Sequence, residues 1–254
     1  MDLTPYHTFM SELATTSGEF IRPFFGQAGL AVEFKSDQSP VTAADRGAEE
    51  LVRKLIGSKY PTHGIIGEEL GSENADAEFV WVLDPIDGTK SFITGVPLWG
   101  TLIALLHDGL PVLGCIHQPI LGQFMIGDGN TTTLNGKTVH TRPTTRIEDS
   151  TMLTTDPFNF RNRMGSGTNE FLAKAKLVRT WGDCYGYLLV ASGQADIMID
   201  PLMNPWDIAA LVPVIRGAGG VITDCSGGDA YPAESTVAAA TSELHAAVLA
   251  GLNA

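Results

Sequence analysis

Cysteine is scarce in this chain, and what little there is builds nothing. Cys115, Cys184 and Cys225 are odd in number and far apart, with no C-x-x-C pair, which argues against a disulfide framework or a zinc knuckle and leaves buried free thiols. Histidine is equally dispersed: His7, His63, His107, His117, His140 and His245 include no H-E-x-x-H pattern, so nothing supports a zinc hydrolase. A G-x-S-x-G elbow and a G-x-x-x-x-G-K-[ST] loop are both absent, which removes the usual support for a serine hydrolase or a P-loop enzyme. Positive charge is in deficit, with 16 basic residues against 29 acidic ones and a formal net charge of −13, a balance that disfavours nucleic acid as a partner. No stretch approaches the roughly 20 apolar residues of a membrane span, and the first residues carry early acids without a signal-type apolar core. A cytoplasmic protein is predicted, with neither a nucleic-acid nor a membrane partner.

What is present is a core-forming composition and a pattern of acids. With 254 residues, 44% of them apolar, the chain can build one large domain or two closely packed ones. Most of the acids are expected to form a solvated surface. Apolar spacing predicts a helix from Leu3 to Phe25, interrupted at Gly18 and ended by Pro23 and Gly26. A second helix is predicted over Ala43 to Ile56, with Thr42 as cap, Asp45 at its beginning and Gly57 as stop. "HGIIGEEL" and "FVWVLDPIDG" read as strands that deliver carboxylates to one rim, and Leu98 to His140 reads mostly as an antiparallel meander. Beyond Ser150 the grammar alternates: "STMLTTD" strand, "YGYLLVASG" helix, "ADIMID" strand, "WDIAALVPVIRGAG" one helix, "GVITDCSG" strand. The change suggests an N-terminal α+β subdomain over residues 1–145, holding the antiparallel sheet, and a C-terminal α/β subdomain over residues 146–254.

The stretch "VWVLDPIDGTKSF" runs an apolar strand into two aspartates whose mutual repulsion asks for a cation. Magnesium prefers hard oxygen ligands and is held by a few carboxylates together with phosphate and water, which Asp84, Asp87 and Glu68 fit. Pro85 restricts the backbone so that both aspartates and the Ile86 carbonyl are presented from one turn. Entry into a helix at Thr89 or Lys90 would expose the N–H groups of Gly88 and Thr89 where phosphate binds readily. The same turn also reads as a Pro-Asp-Gly turn whose acids cap the next helix. "GAGG" at 217–220 follows a helix and precedes a strand, the reverse of a dinucleotide loop, and reads as a helix stop. Phe79 and Trp81 read as core, Trp99 as either core or pocket wall, and Lys35 as either exposed or near phosphate.

"GIIGEE" at 64–69, "WVLDPIDGT" at 81–89 and "WDIAA" at 206–210 resemble, in order, three signature segments of the inositol monophosphatase superfamily; "SPVTAAD" at 39–45 and "AGGVITD" extend the likeness over nearly the whole chain. The resemblance implies a layered αβαβα sandwich of the inositol monophosphatase and fructose-1,6-bisphosphatase type. It also implies Mg²⁺-dependent hydrolysis of a small phosphate monoester by a homodimer, with two or three ions. By motif, Glu68, Asp84 and the Ile86 carbonyl would hold one ion and Asp84, Asp87 and Asp207 another, with Glu68 also near a third. Asp45 and Thr89 would orient the attacking water, and Glu69 would stand behind the ligands.

"DPIDGTKSFITGVPLWGTLIAL" and the segment from Thr180 to Leu211 are most similar to the histidinol-phosphate phosphatase branch. Where inositol enzymes have a small neutral segment, this chain has Gly182-Asp183-Cys184-Tyr185, and a carboxylate suits the ammonium and imidazole of histidinol phosphate. Asp183 and then Asp200 are the candidates to read that charge, with Asn204 standing where inositol enzymes often have His. Asp183 also reads as a helix cap, and Asp200 as a turn residue before Pro201. An inositol or other sugar monophosphate is the alternative substrate, and a noncatalytic small-molecule or RNA-binding relative the alternative class.

Overall fold

The computed structural model describes residues 1–36, 39–165 and 167–252. Two large sheets organise the chain among these residues, beside a two-stranded antiparallel one formed by Val32–Phe34 and Pro40–Thr42. The larger has eight strands in the spatial order Lys137–Thr138, Thr132–Leu134, Gln123–Gly127, Leu110–Gln118, Gly100–His107, Phe79–Asp87, Gly64–Gly67 and Gly71–Glu73. The smaller has five: Leu177–Arg179, Thr151–Leu153, Ile197–Asp200, Thr236–Ala239 and Val221–Thr223. Helices lie outside and between them, giving the αβαβα sandwich.

Alternation along the strands builds the layers. In the Phe79–Asp87 strand, Trp81 and Leu83 face the first layer, where Phe9, Met10 and Leu13 of helix Thr4–Ile21 and Val52 and Ile56 of helix Ala43–Lys59 cover them. Val80 and Val82 point the other way, into a cluster with Leu188 of helix Asp183–Ala191 and Leu211 and Ile215 of helix Leu211–Gly217. The small sheet repeats the device. Met198 and Ala238 join that middle cluster, while Ile197, Ile199, Val237 and Ala239 meet Phe160, Phe171, Leu244 and Val248 of the outer helices Pro157–Met164, Thr168–Leu172 and Ser242–Leu252. Each fully buried valine, leucine, isoleucine, methionine or phenylalanine in these layers contributes about 1.5–3 kcal/mol.

Several local expectations change. Helix Thr4–Ile21 runs straight through Gly18, which is there for close packing: a Cβ would lie 2.5 Å from the His117 ring. The interval Arg22–Phe24 follows as a 3₁₀ turn. Helix Ala43–Lys59 passes Gly57 and stops at Tyr60, because the next residue, Pro61, disfavours helical backbone before it. The single helix expected from Trp206 splits into Pro205–Ile208 and Leu211–Gly217, since Pro213 has no N–H to give the Ala209 carbonyl. The five-stranded sheet is mixed: Thr151–Leu153 pairs in parallel with two neighbours, whereas Thr236–Ala239 pairs antiparallel with both of its own. Among the described residues, no helix is long and apolar enough to cross a membrane.

Candidate active site

The central strand explains how two aspartates three residues apart reach one place. Strict alternation would send Asp84 and Asp87 to opposite faces of the sheet. Asp84 pairs with Leu102 but Asp87 with Gly100, so one extra residue bulges between them where Pro85 cannot donate to the ladder. The Thr101 hydroxyl donates to the Pro85 carbonyl at 2.8 Å, and Ile86 N–H donates to Asp84 Oδ1 at 3.0 Å. Parallel pairing of Gly67 with Leu83 continues into a Glu68 N–H bond to the Leu83 carbonyl at 3.1 Å, which brings Glu68 beside Asp84. Asp207 arrives from the short helix Pro205–Ile208, its Oδ2 accepting from Asn204 N–H at 2.7 Å and Asn204 Nδ2 at 3.3 Å.

Oxygens of Asp84, Asp87 and Asp207 converge within 4.8 Å of one another. Burial, joined by the neighbouring carboxylates Glu68, Asp87 and Asp207, pushes the Asp84 carboxyl well above its usual range. Burial with the charges of Asp183 and Asp207 does the same to Asp87, against the bond its carboxylate accepts from Cys184 N–H. Asp207 is pushed up to about 7, by burial first and then by Glu68 and Asp200 against the bonds from Asn204. Three buried or half-buried hard-oxygen donors that resist ionising side by side fit a divalent cation such as Mg²⁺. Glu68 is outside this trio: Lys35 Nζ sits 2.8 Å from its Oε1 and 2.6 Å from Glu69 Oε1. Lys35 is thus the counter-ion of the acid pair.

The remaining sequence candidates take these places. Asp45 caps its own helix entry, its Oδ2 accepting from Thr42 N–H at 2.8 Å and Thr42 Oγ1 at 2.6 Å, and burial raises its pKa. Thr89 opens helix Thr89–Ile93 and donates its hydroxyl to the Ile86 carbonyl at 3.0 Å. Among the described residues these two are not hydrogen-bonded to each other. Ala44, Ala48, Ile86 and Phe92 form one cluster that packs the two turns together. Gly88 takes a left-handed φ of +89°, which turns the strand into that helix and leaves the first N–H groups without intrahelical acceptors.

Asp183 is the first residue of its helix at φ +49°, and Gly182, not Asp183, holds the cap position. Its N–H donates to Thr155 Oγ1 at 2.8 Å, and its carboxyl is pushed up to about 7 by burial, then by Asp200, against the Lys90 cation. Asp200 is buried and engaged on both oxygens, accepting from Thr155 N–H at 3.1 Å and Tyr187 OH at 3.0 Å. Trp99 is fully buried core beside Phe25 and Phe92.

A cleft with two adjoining lobes covers this ground. One lobe, about 220 Å³, is lined by Asp87, Lys90, Asp156, Asp183, Asp200 and Asp207 among others. The other, about 420 Å³, runs past Glu68, Gly88, Thr89 and Ser91, and shares Lys90, Thr155, Asp156 and Asp183 with the first. Sequence reasoning missed Lys90, Thr155 and Asp156. Lys90 follows Thr89 within the quoted motif, and Asp156-Pro157 is a helix-start signal: Asp156 accepts from Phe158 N–H at 2.8 Å and Asn159 N–H at 3.2 Å.

The same sandwich fold is found in solved inositol monophosphatases. An inositol monophosphatase from Zymomonas mobilis superposes with a TM-score of 0.88 at 36% identity, covering 100% of both chains. The model of the inositol monophosphatase family matches residues 2–254, and the chain belongs to that family. It is 40% identical over 227 residues to a histidinol-phosphatase of Chlorobaculum parvum, covering 89% of this chain and 88% of that one. To the chloroplastic bifunctional phosphatase IMPL2 of Arabidopsis thaliana it is 46% identical over 233 residues, 91% of this chain and 67% of the relative. The protein is a metal-dependent phosphoric monoester hydrolase.

Proposed function

We propose that the chain hydrolyses L-histidinol phosphate to L-histidinol and phosphate in histidine biosynthesis, using two or three Mg²⁺ ions, as a cytoplasmic homodimer. The observation that carries the substrate reading is the lobe in which Asp156, Asp183 and Asp200 stand beside Asp87 and Asp207, carboxyl groups beyond the metal trio that suit a cationic organic group better than a neutral polyol. The likeness to the Chlorobaculum parvum histidinol-phosphatase agrees with it.

Glu68, Asp84, the Ile86 carbonyl, Asp87 and Asp207 would hold the metals. When bound, Mg²⁺ supplies charge that stabilises the transferring phosphoryl group and the departing oxygen. Gly88 and Thr89 offer backbone N–H groups to the phosphate. The Thr89 hydroxyl, its own proton on the Ile86 carbonyl, accepts a hydrogen bond from the attacking water, and Asp45 is the carboxylate assigned to receive the proton. Asn204 holds Asp207 in place, Asp200 fixes Thr155 and Tyr187 behind the lobe, and Asp183 faces the substrate's cation.

Complementation tests this reading. Expression in a histidine-requiring strain that lacks its histidinol-phosphatase should restore growth without histidine, and an Asp84→Asn chain should not. Failure of the soluble, folded wild-type chain to restore growth would overturn the substrate assignment.

A further inference from the structure

Two residues of opposite charge, Lys90 and Asp183, line both lobes at their junction. Asp183 Oδ2 is 3.0 Å from the point a Cβ on Gly88 would occupy, so its carboxylate lies directly against the turn assigned to phosphate. Lys90 borders both lobes and, among the described residues, is the one cation lining either. Its ammonium has no ion pair or hydrogen bond among those residues, although Asp183 is near enough to feel its charge. An unpaired ammonium two residues beyond the Gly88 turn and a carboxylate packed against that turn form a reader for a ligand whose negative and positive groups are themselves close neighbours.

We infer that the Lys90–Asp183 doublet recognises phosphate esters of vicinal amino alcohols as a class, in which the ammonium-bearing carbon adjoins the CH₂–O–P carbon, and that such esters without an imidazole are also substrates. This rests on the proposed function and sharpens it. Lys90 contacts a phosphate oxygen while Asp183 holds the ammonium beside it. Phosphate and ammonium separated by a longer chain cannot reach both partners, and a polyol phosphate leaves Asp183 facing neutral hydroxyls. The remaining acids of the lobe do not compete for the short-range contact. Asp200 is engaged by Thr155 and Tyr187, and Asp156 caps its own helix.

The test uses the Mg²⁺-loaded full chain and three simple esters: 2-aminoethyl phosphate, ethyl phosphate and 4-aminobutyl phosphate. Each is measured as a substrate by phosphate release and as a competitor of p-nitrophenyl phosphate, so that an inhibition constant is obtained even where turnover is slow. A charge-assisted contact predicts that 2-aminoethyl phosphate outperforms ethyl phosphate by about 10- to 150-fold in kcat/KM or inhibition constant. The 4-aminobutyl ester should lose most of that advantage. Asp183→Asn should collapse the 2-aminoethyl to ethyl ratio toward one. Lys90→Met should raise the inhibition constants of all three esters while leaving their ratio standing, and because an inhibition constant does not depend on how much of the enzyme is folded, lost folding would not produce that pattern. Parity of 2-aminoethyl and ethyl phosphate in the wild type overturns the inference. If histidinol phosphate is still preferred over inositol phosphate in that case, the imidazole carries recognition and the proposed function stands. If histidinol phosphate has no such preference, the proposed function fails, and the ratio among the simple esters still decides the doublet.

Discussion

Glu49 is the residue through which the helix Ala43–Lys59 holds the Glu68–Glu69 turn, and replacing it should cost both stability and metal affinity. Its side chain is fully buried. The carboxylate accepts from Glu69 N–H at 2.8 Å, Leu70 N–H at 3.1 Å and Arg53 Nε at 2.8 Å, and Arg53 in turn donates to the Gly71 carbonyl. Asp45, Glu49 and Arg53 are four residues apart, so one helical face carries both the proposed water-orienting acid and the clamp on the metal turn. Glu49→Gln keeps the shape but replaces one acceptor oxygen by a donor, leaving at least one of those donors unpaired. Breaking a buried pair from one side costs roughly 3–5 kcal/mol. At about 2–4 °C per kcal/mol for a chain of this size, the metal-free Tm should fall by about 6–20 °C. Loosening the Glu68 turn should also raise the Mg²⁺ midpoint in a thermal-shift titration by about tenfold, equivalent to about 1.4 kcal/mol. Lys54→Gln on the same helix is the control, since its 3.8 Å contact with Glu50 is exposed on both sides. A Glu49→Gln protein within about 2 °C of wild type, or one with an unchanged Mg²⁺ midpoint, would refute the clamp.

Asp84→Asn should lower turnover by orders of magnitude while the protein stays folded by circular dichroism, and undiminished turnover would rule out its place among the metal ligands. Thr89→Ala and Asp45→Asn should each reduce kcat by about 10² to 10⁴ with little change in KM; losses below threefold in both would remove them from water activation. Without metal, the Asp207 carboxyl titrates near 7 in the fold and near 4 in the unfolded chain, so its stabilising contribution is full below about 4 and disappears as pH rises toward about 7. The Tm of metal-free Asp207→Asn should therefore gain on wild type between about pH 5 and 8, and a constant or shrinking difference would contradict that sign.

Much of the site was legible because strand and acid patterns are local. "FVWVLDPIDG" displays its two-sided burial in an unbroken apolar run, and Thr42-x-x-Asp45 announces a helix start whose capping box is present. The bulge at Pro85 also has a local cause. What was not legible depends on distant segments meeting. Nothing near Lys35 says that it pairs with Glu68 and Glu69, and nothing near Asp183 says that it lies on Gly88. Asp183 does not cap its helix because Gly182 takes that position, and the apolar run after Trp206 conceals the break that Pro213 imposes on the helix. Reading most acids as solvated surface leaves out Glu49 and Asp196, whose burial depends on hydrogen-bond partners 20 to 54 residues away in the chain.

The most direct measurement compares phosphate release from L-histidinol phosphate and inositol 1-phosphate by the purified chain, with chelator and then with Mg²⁺ restored. Activity should vanish in chelator and return with Mg²⁺, with kcat/KM at least about tenfold higher for histidinol phosphate, the factor that one charge-assisted contact supplies. Equal or greater kcat/KM for inositol 1-phosphate would contradict the histidinol-phosphate assignment, and full activity in chelator would contradict the metal site itself.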